Sequence, residues 1–275
     1  MPKSIRPTKN PGALRIASPH MGEPPTEIRS LSGMIAWVEE NCKSEPILFR
    51  GQPTDEPLLP KIARDGFHAR SERLADEQRM FEEFRRLALP YLEMRPETLW
   101  DWLAVAQHHG MPTRLLDWTL NPLAALWFAV ADPPKNEAQR TRKKRLKIAE
   151  CLPGVLWVLD AKEKDFVEPT DTSDPLNASR TKIFRPRHLT TRIVAQSGWF
   201  TAHKYLDNKR KFVPLNQHRT FKPQLRKLSI PPDRFSHIRS DLDRCGINGF
   251  SLFGSVDGLC HHLAWLHSFL PDEKE

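Results

Sequence analysis

One apolar run constrains the fold of this chain more than any other feature. Residues 120–130 read LNPLAALWFAV, with Pro122 at a position that the first turn of a helix tolerates. We therefore predict a buried helix here. Either the hydroxyl of Thr119 or the amide of Asn121 is placed to cap it. The free N–H groups of its first turn favour an anion such as a phosphate.

A dense polar segment directly precedes this helix. Residues 107–119 read QHHGMPTRLLDWT and combine amides, imidazoles, a guanidinium, a carboxylate and hydroxyls along a path bent by Gly110 and Pro112. A buried helix holds the segment before it rigidly. We therefore interpret residues 107–119 as a binding or catalytic site.

Hydrophobic periodicity predicts the remaining elements. Helices are expected near residues 34–40, 70–89, 97–108, 238–245 and 256–269, and strands near residues 46–51, 154–160, 190–196, 199–201 and 225–230. Residues 1–25 carry prolines without periodicity and predict a disordered arm. Helices at the front and short strands behind favour an α+β fold, in a single domain over residues 26–270 with a basic insertion near residues 133–150.

Three signatures resemble the FRG domain, a family called after its Phe-Arg-Gly motif. They are Phe49-Arg50-Gly51-Gln52, the whole of residues 107–130, and the sequence RIVAQSGWF at residues 192–200. The resemblance extends over about residues 46–267. Members of this family occur largely in bacteria and phages. The resemblance therefore implies a toxin or antiphage-defence role, with an antitoxin or defence-system protein as a partner.

The order of these signatures is also similar to that of mono-ADP-ribosyltransferases, which implies NAD as the substrate. In that family the first-strand arginine contacts the NAD phosphate and the nicotinamide ribose, and Arg50 matches it. Thr119 matches the Ser/Thr that supports this contact, and Gln196 matches the late carboxylate that binds the ribose 2′-hydroxyl. Gln196 is neutral and cannot act as a general base. Asp117 or Asp257 supplies the carboxylate instead, unless these residues cap helices or Asp117 pairs with Arg114.

Nucleotide-binding residues are expected around these catalytic candidates. A guanidinium at Arg50 suits phosphate recognition because the bare backbone of Gly51 admits a ligand; the alternative is an arginine that ties the strand end to backbone carbonyls. Arg114 either holds a phosphate or bridges to Asp117. His108 and His109 diverge by about 100° on a helix, so at most one of them faces the site. The expected cleft also includes Gln107, Thr113 and Asn121.

Positive charge is concentrated in one segment. Residues 180–227 hold thirteen Lys/Arg against one acid, a net charge of +12, whereas the whole chain carries +8. Such a segment attracts RNA or DNA through counterion release, or else forms a solvated face for small anions. Its aromatic rings either stack on bases or anchor the core. We predict binding of single-stranded nucleic acid by Lys204, Lys209, Arg210 and Lys211. A second basic cluster lies at residues 140–147.

Several other classes are excluded by what the sequence lacks. It has no secretory segment and no apolar run of about 18 residues, so we expect a cytoplasmic protein without membrane contact. The four cysteines lack the spacing of zinc or redox motifs, the histidines His261, His262 and His267 lack a further ligand, and no acidic cluster suits a two-metal nuclease. Two functions remain. The chain is an ADP-ribosyltransferase-like effector that acts on a nucleic acid or another anionic target, or a non-catalytic module that senses a nucleotide or nucleic acid.

Overall fold

The computed structural model describes residues 26–43, 46–70, 72–92, 94–136, 147–168, 171–187 and 197–273. Several sequence predictions lie outside these ranges. They are the arm over residues 1–25, most of the second basic cluster, the strand at residues 190–196 and, within it, Gln196.

A mixed seven-stranded sheet forms the centre of the fold, in the order β1-β9-β4-β2-β3-β6-β5. Strand β1 runs parallel to β9, and the other neighbours are antiparallel. A separate hairpin is formed by β7 and β8. In chain order the strands are β1 Thr26–Glu27, β2 Ile47–Gln52, β3 Leu115–Thr119, β4 Gly154–Asp160, β5 Lys182–Phe184, β6 Gly198–Ala202, β7 Tyr205–Leu206, β8 Lys211–Phe212 and β9 Leu225–Ile230.

Seven α-helices accompany these strands in the described part of the chain. They are α1 Leu31–Asn41, α2 Arg73–Leu87, α3 Leu99–His108, α4 Pro122–Val130, α5 Phe235–Arg244, α6 Gly249–Phe253 and α7 Val256–Leu266. The α+β class predicted from the sequence is confirmed. Strands β4 and β9 match their predicted bounds, whereas the short elements β1, β3, β5, β7, β8 and α6 were not predicted from periodicity. Elements of two to five residues carry too few side chains to show a period.

Alternation along β2 separates two cores. Phe49 packs with α4 and α5 on one face of the sheet, and Leu48 packs on the other face with Trp118 and Trp157. Helices α2 and α3 cover the adjoining strands β3, β6 and β5 on the first face, where they surround Leu115. Loops cover the second face. Since Arg50 follows Phe49 by one residue, its side chain leaves the strand on the face of Leu48.

The predicted buried helix is confirmed as α4, and Asn121 is its cap. Asn121 Oδ1 accepts hydrogen bonds from the amides of Leu123 (2.9 Å) and Ala124 (3.3 Å). Thr119 acts one step earlier, because its Oγ1 accepts from the Asn121 amide at 2.9 Å. Both side chains therefore fix the turn that leads from β3 into α4.

Gly51 lets α4 pack directly on β2. A Cβ atom at residue 51 would lie 1.8 Å from the carbonyl oxygen of Ala125 and 2.8 Å from the amide nitrogen of Ala129. The expectation that the bare backbone of Gly51 admits a ligand is wrong on this side of the strand, because the backbone of α4 occupies the space. The glycine of the Phe-Arg-Gly motif serves helix packing.

Candidate functional site

Arg50 and Asp117 meet where strands β2 and β3 separate. The two strands share the register pair Phe49↔Thr119, next to Arg50. Beyond this pair, Arg50 Nη1 donates to the carbonyl oxygen of Asp117 at 2.7 Å and lies 3.8 Å from the Asp117 carboxylate. The guanidinium thus bridges the gap between the two strands. The Phe-Arg-Gly signature and residues 107–119 therefore contact each other at this point.

The Arg50 guanidinium is mostly buried and incompletely paired. Its side chain is 14% exposed, and its Nε is buried without a hydrogen-bond partner among the described residues. Burial lowers the pKa of Arg50 to about 10, while the charge of Asp117 opposes this shift and that of Arg64 adds to it. The group remains cationic at neutral pH. A buried cation with an unused donor favours an anionic ligand.

The Asp117 carboxylate is held in place but open to solvent. Gln107 Nε2 donates to both of its oxygens, at 3.2 and 3.1 Å, and Thr113 Oγ1 donates to Gln107 Oε1 at 2.7 Å. The Leu115 amide fixes Thr113 in turn by donating to its Oγ1 at 3.1 Å. The Asp117 side chain is 58% exposed. The site therefore presents an oriented carboxylate next to a buried cation.

Arg114 takes no part in this site. Its side chain is 1% exposed and forms a bidentate pair with Glu77 on α2, with Nε to Oε1 at 3.0 Å and Nη2 to Oε2 at 2.6 Å. Nη1 donates to the carbonyl of Leu176 at 2.7 Å. Both interpretations from the sequence, a phosphate ligand and a bridge to Asp117, are wrong, because the fork is fully used inside the core. Glu77 falls in phase with Leu74, Phe81 and Phe84 on α2, and an acid on an apolar stripe was the signal for such a partner.

The side-chain oxygens of Thr119 and Asn121 accept hydrogen bonds from backbone amides at the start of α4. Asn121 was expected to bind a ligand, but its Oδ1 accepts hydrogen bonds from two helix amides. Its contact with a ligand stays a prediction. Thr119 is 5% exposed and is paired with Phe49 in the ladder, beside Arg50. It supports the strand junction, and its contact with a ligand stays a prediction.

The other expected site residues are placed as follows. His108 ends α3 one residue after Gln107, with its ring edge-to-face against that of His109 at 4.8 Å. Asp257 lies in the first turn of α7, whose cap is Ser255, and α7 packs on α6, which contacts α4 through Phe253. Asp257 therefore lies on the α4 side of the sheet, in a helix that packs on α6. Asp117 is the carboxylate that the structure brings to Arg50.

His203 is a buried histidine that the sequence analysis missed. It is 2% exposed, its Nε2 lies 3.2 Å from Thr201 Oγ1, and Thr201 Oγ1 accepts from Trp118 Nε1 at 3.1 Å. Burial is the main cause that lowers the pKa of His203 to about 3; the charges of His218, Arg50 and Arg114 act in the same direction, and a backbone hydrogen bond with Val213 opposes them. A neutral imidazole thus lies behind Arg50. The signal was the unbroken run of mainly apolar residues from Trp199 to Ala202 that leads directly into His203.

The predicted nucleic-acid contacts gather at one hairpin. Lys209, Arg210 and Lys211 are exposed at the turn between β7 and β8, and Lys204 is half-buried just before β7. Most of the aromatic rings expected to stack on bases are instead buried in the core. They are Phe184, Trp199, Phe200, Phe212 and Phe221. Tyr205 is the partly exposed aromatic ring among the described residues of the basic segment.

Two surface cavities lie apart from Arg50. The first, of about 460 Å³, is an apolar groove along α2 that includes Phe84, Leu87 and Met111. The second, of about 380 Å³, lies between the start of α2 and the β7–β8 hairpin. Within the described ranges, His, Cys, Asp and Glu side chains form no group of three or more that could hold a metal ion. No helix in the same ranges is long and apolar enough to cross a bilayer.

Comparison with known families supports the resemblance seen in the sequence. Residues 45–138, roughly a third of the chain, match the model of the FRG domain. This segment contains Arg50, Gln107, Thr113 and Asp117, the residues of the network described above. No curated protein and no solved structure matches the chain.

Proposed function

We propose that this chain, through the segment that matches the FRG domain, binds NAD at the Arg50–Asp117 site and transfers ADP-ribose to a nucleic acid or another anionic target. The observation that carries the proposal is the pairing of a buried, incompletely satisfied guanidinium with an exposed, oriented carboxylate. In this proposal the chain acts as a toxin or antiphage effector.

The residues fit the two polar parts of NAD. Arg50 carries an incompletely paired positive charge in a low-dielectric place, and 14% of its side chain is exposed, which suits contact with a phosphate oxygen. The Asp117 carboxylate, held by Gln107, suits the hydroxyls of the nicotinamide ribose. Thr113 and Gln107 restrict the rotation of this carboxylate before any ligand arrives, which reduces the entropic cost of binding.

The chemistry requires negative charge where the sugar becomes cationic. In ADP-ribosyl transfer the bond between the anomeric carbon and nicotinamide breaks, and nicotinamide leaves as a neutral molecule with the bonding electron pair. A nucleophile of the target forms the new bond to the anomeric carbon and loses its proton to a base. Asp117 supports both steps, because a carboxylate stabilises an oxocarbenium ion and accepts a proton. Gln196, the position matched by the family resemblance, can do neither.

The proposal is tested by NAD binding and by release of nicotinamide. We expect Arg50→Ala to weaken NAD binding by about 10- to 100-fold, the value of a charge-assisted hydrogen bond, and Arg50→Lys to fail likewise because an ammonium lacks the planar fork. Asp117→Asn should retain NAD binding and abolish nicotinamide release. Arg244→Ala, which removes an exposed arginine from α5, is the control. Full nicotinamide release by Asp117→Asn would overturn the assignment.

A second candidate function is nucleotide or nucleic-acid binding without catalysis. The observation that favours it is the exposed cluster Lys209, Arg210 and Lys211 on a hairpin outside the Arg50 site. Binding of RNA or DNA should weaken steeply between low and physiological salt, and reversing these three charges together should weaken it without changing the melting temperature. Nucleic-acid binding in the absence of any nicotinamide release would favour this second function.

A further inference from the structure

The polar cavity between α2 and the β7–β8 hairpin has the composition of an anion site with an aromatic wall. Its volume is about 380 Å³, within the range of small-molecule pockets. The residues that matter for its chemistry are Phe67, His68, Glu72, Arg73, Tyr205 and Arg210. Arg50 does not line it. The segment that leads into the cavity does pass close to Arg50, because the charge of Arg64 acts on Arg50 and the Phe67 amide donates to the Arg64 carbonyl at 3.0 Å.

Two arginines from different elements face this cavity. Arg73 begins α2, and its Nε is buried without a hydrogen-bond partner among the residues that the structure describes. Arg210 ends the short turn after β7 in the left-handed region, with φ 48° and ψ 41°, which a non-glycine residue rarely adopts. The Arg210 side chain lines the cavity, and backbone strain of this kind is typical of ligand clamps.

An acidic side chain of the protein occupies Arg210. Glu72 Oε1 lies 3.0 Å from Arg210 Nη2, with both side chains largely exposed at 64% and 79%. A solvent-exposed ion pair of this kind contributes little to stability, so an incoming anion can replace the carboxylate. Glu72 therefore stands where a phosphate group of a ligand would bind.

The aromatic wall is held rigidly. Tyr205 packs edge-to-face on Phe212, with 5.1 Å between ring centroids and 71° between ring planes, and Phe212 is buried. Tyr205 is thus fixed while remaining partly exposed beside Arg210. A fixed aromatic ring can stack on the base of a nucleotide, and a cation beside the ring can bind the phosphate of the same nucleotide.

We propose that this cavity binds a nucleoside monophosphate unit, with its phosphate between Arg73 and Arg210 in place of Glu72 and its base against Tyr205 and Phe67. The exposed Lys209 and Lys211 continue the positive charge beyond the cavity, which favours a unit within a single strand over a free nucleotide. The inference deepens the proposed function, since it assigns the contact for the anionic target. The role of the cavity in holding a target rests on the proposed function, whereas the binding of a nucleotide unit by the cavity does not.

The test measures binding of a fluorescent single-stranded oligoadenylate by anisotropy, without NAD, in competition with adenosine monophosphate and with inorganic phosphate. Arg210→Ala should weaken binding about tenfold and reduce the slope of log K against log salt by about 1, as the loss of one phosphate contact requires. Tyr205→Leu should weaken binding with the salt slope unchanged. Glu72→Gln should tighten binding several-fold because it removes the competing carboxylate.

Arg244→Ala is the matched control, since Arg244 is also exposed (77%) and also pairs with an acid, Asp241, at 3.2 Å. It should bind like wild type.

If adenosine monophosphate competes at concentrations similar to those at which oligoadenylate binds, the site is supported and its ligand is a free nucleotide. Binding unaffected by Arg210→Ala, or weakened by Glu72→Gln, would overturn the proposal. Failure of nicotinamide release with oligonucleotide binding intact would overturn the proposed function alone.

Discussion

Nη1 of Arg50 lies 2.7 Å from the carbonyl oxygen of Asp117 and 3.8 Å from its carboxylate, so one guanidinium contacts both the backbone and the side chain of one residue. This arrangement differs from the bidentate pair of Arg114 and Glu77, in which every nitrogen of the guanidinium donates to a fixed acceptor. The Nε of Arg50 has no hydrogen-bond partner among the described residues, whereas the Nε of Arg114 donates to Glu77. The difference is the reason for proposing Arg50, and not Arg114, as a ligand contact.

Replacing Arg50 by an apolar side chain should leave the fold nearly as stable. Arg50→Met loses the hydrogen bond to the Asp117 carbonyl but also removes a desolvated charge, so we expect the free energy of unfolding to change by about 1 kcal/mol or less. Urea denaturation measures this change. A loss of several kcal/mol would mean that Arg50 is a brace between β2 and β3, and loss of NAD binding in the variants would then say nothing about a ligand contact.

Arg114→Met should be strongly destabilising. The substitution leaves Glu77, which is fully buried, without its partner, and breaking a buried pair in this way costs about 3–5 kcal/mol. The double variant Glu77→Met with Arg114→Met should recover much of this loss, because no uncompensated charge remains. A double-mutant cycle in urea checks both statements. Equal stability of the single and double variants would contradict a coupled pair.

Gly51→Ala should destabilise the protein by about 3 kcal/mol or more, because the new methyl group would overlap the α4 backbone 1.8 Å away and neither element is free to retreat. Gly66→Ala is the matched control, since nothing lies within 4 Å of a Cβ at that position. Thermal melting of the two variants compares them directly. A Gly51→Ala protein that melts like the Gly66→Ala protein would refute the close packing of α4 on β2.

Stability should fall as the pH is lowered, and His203 should account for part of the fall. The pKa of His203 is about 3 in the folded state, well below the ordinary value of 6.5, so the unfolded chain binds a proton that the folded chain excludes between these values. The contribution of His203 is complete above about pH 6.5 and decreases below it, by up to about 1.4 kcal/mol for each pH unit.

The test compares urea unfolding at pH 7 and pH 5. His203→Gln removes the titrating group, so its stability should depend less on pH than that of wild type over this interval. His237→Gln, at an exposed histidine of α5, should retain the dependence of wild type. An unchanged dependence in His203→Gln would show that other groups cause the acid destabilisation.

Local chemistry made several parts of this protein predictable. An apolar run with Pro122 and Asn121 at its start specifies α4 and its cap, and the bounds of β4 and β9 follow from continuous or alternating apolar residues between turn residues. The polar content of residues 107–119 predicted a site, and the structure brings Asp117 of this segment to Arg50. In each case the information lies within a few residues of the feature it predicts.

Tertiary structure decided which polar residues face a ligand and which are buried in pairs. Arg114 and Asp117 are three residues apart, yet Arg114 turns to Glu77 on α2 and Asp117 turns to Gln107 and Arg50. Gly51, expected beside a ligand, faces α4, and His203 is buried behind Arg50. The physical reason is that a buried charge or donor must be satisfied by a partner in space. The sequence by itself determined the longer elements and the positions of their polar residues, and the packing of the elements selected the partners of those residues.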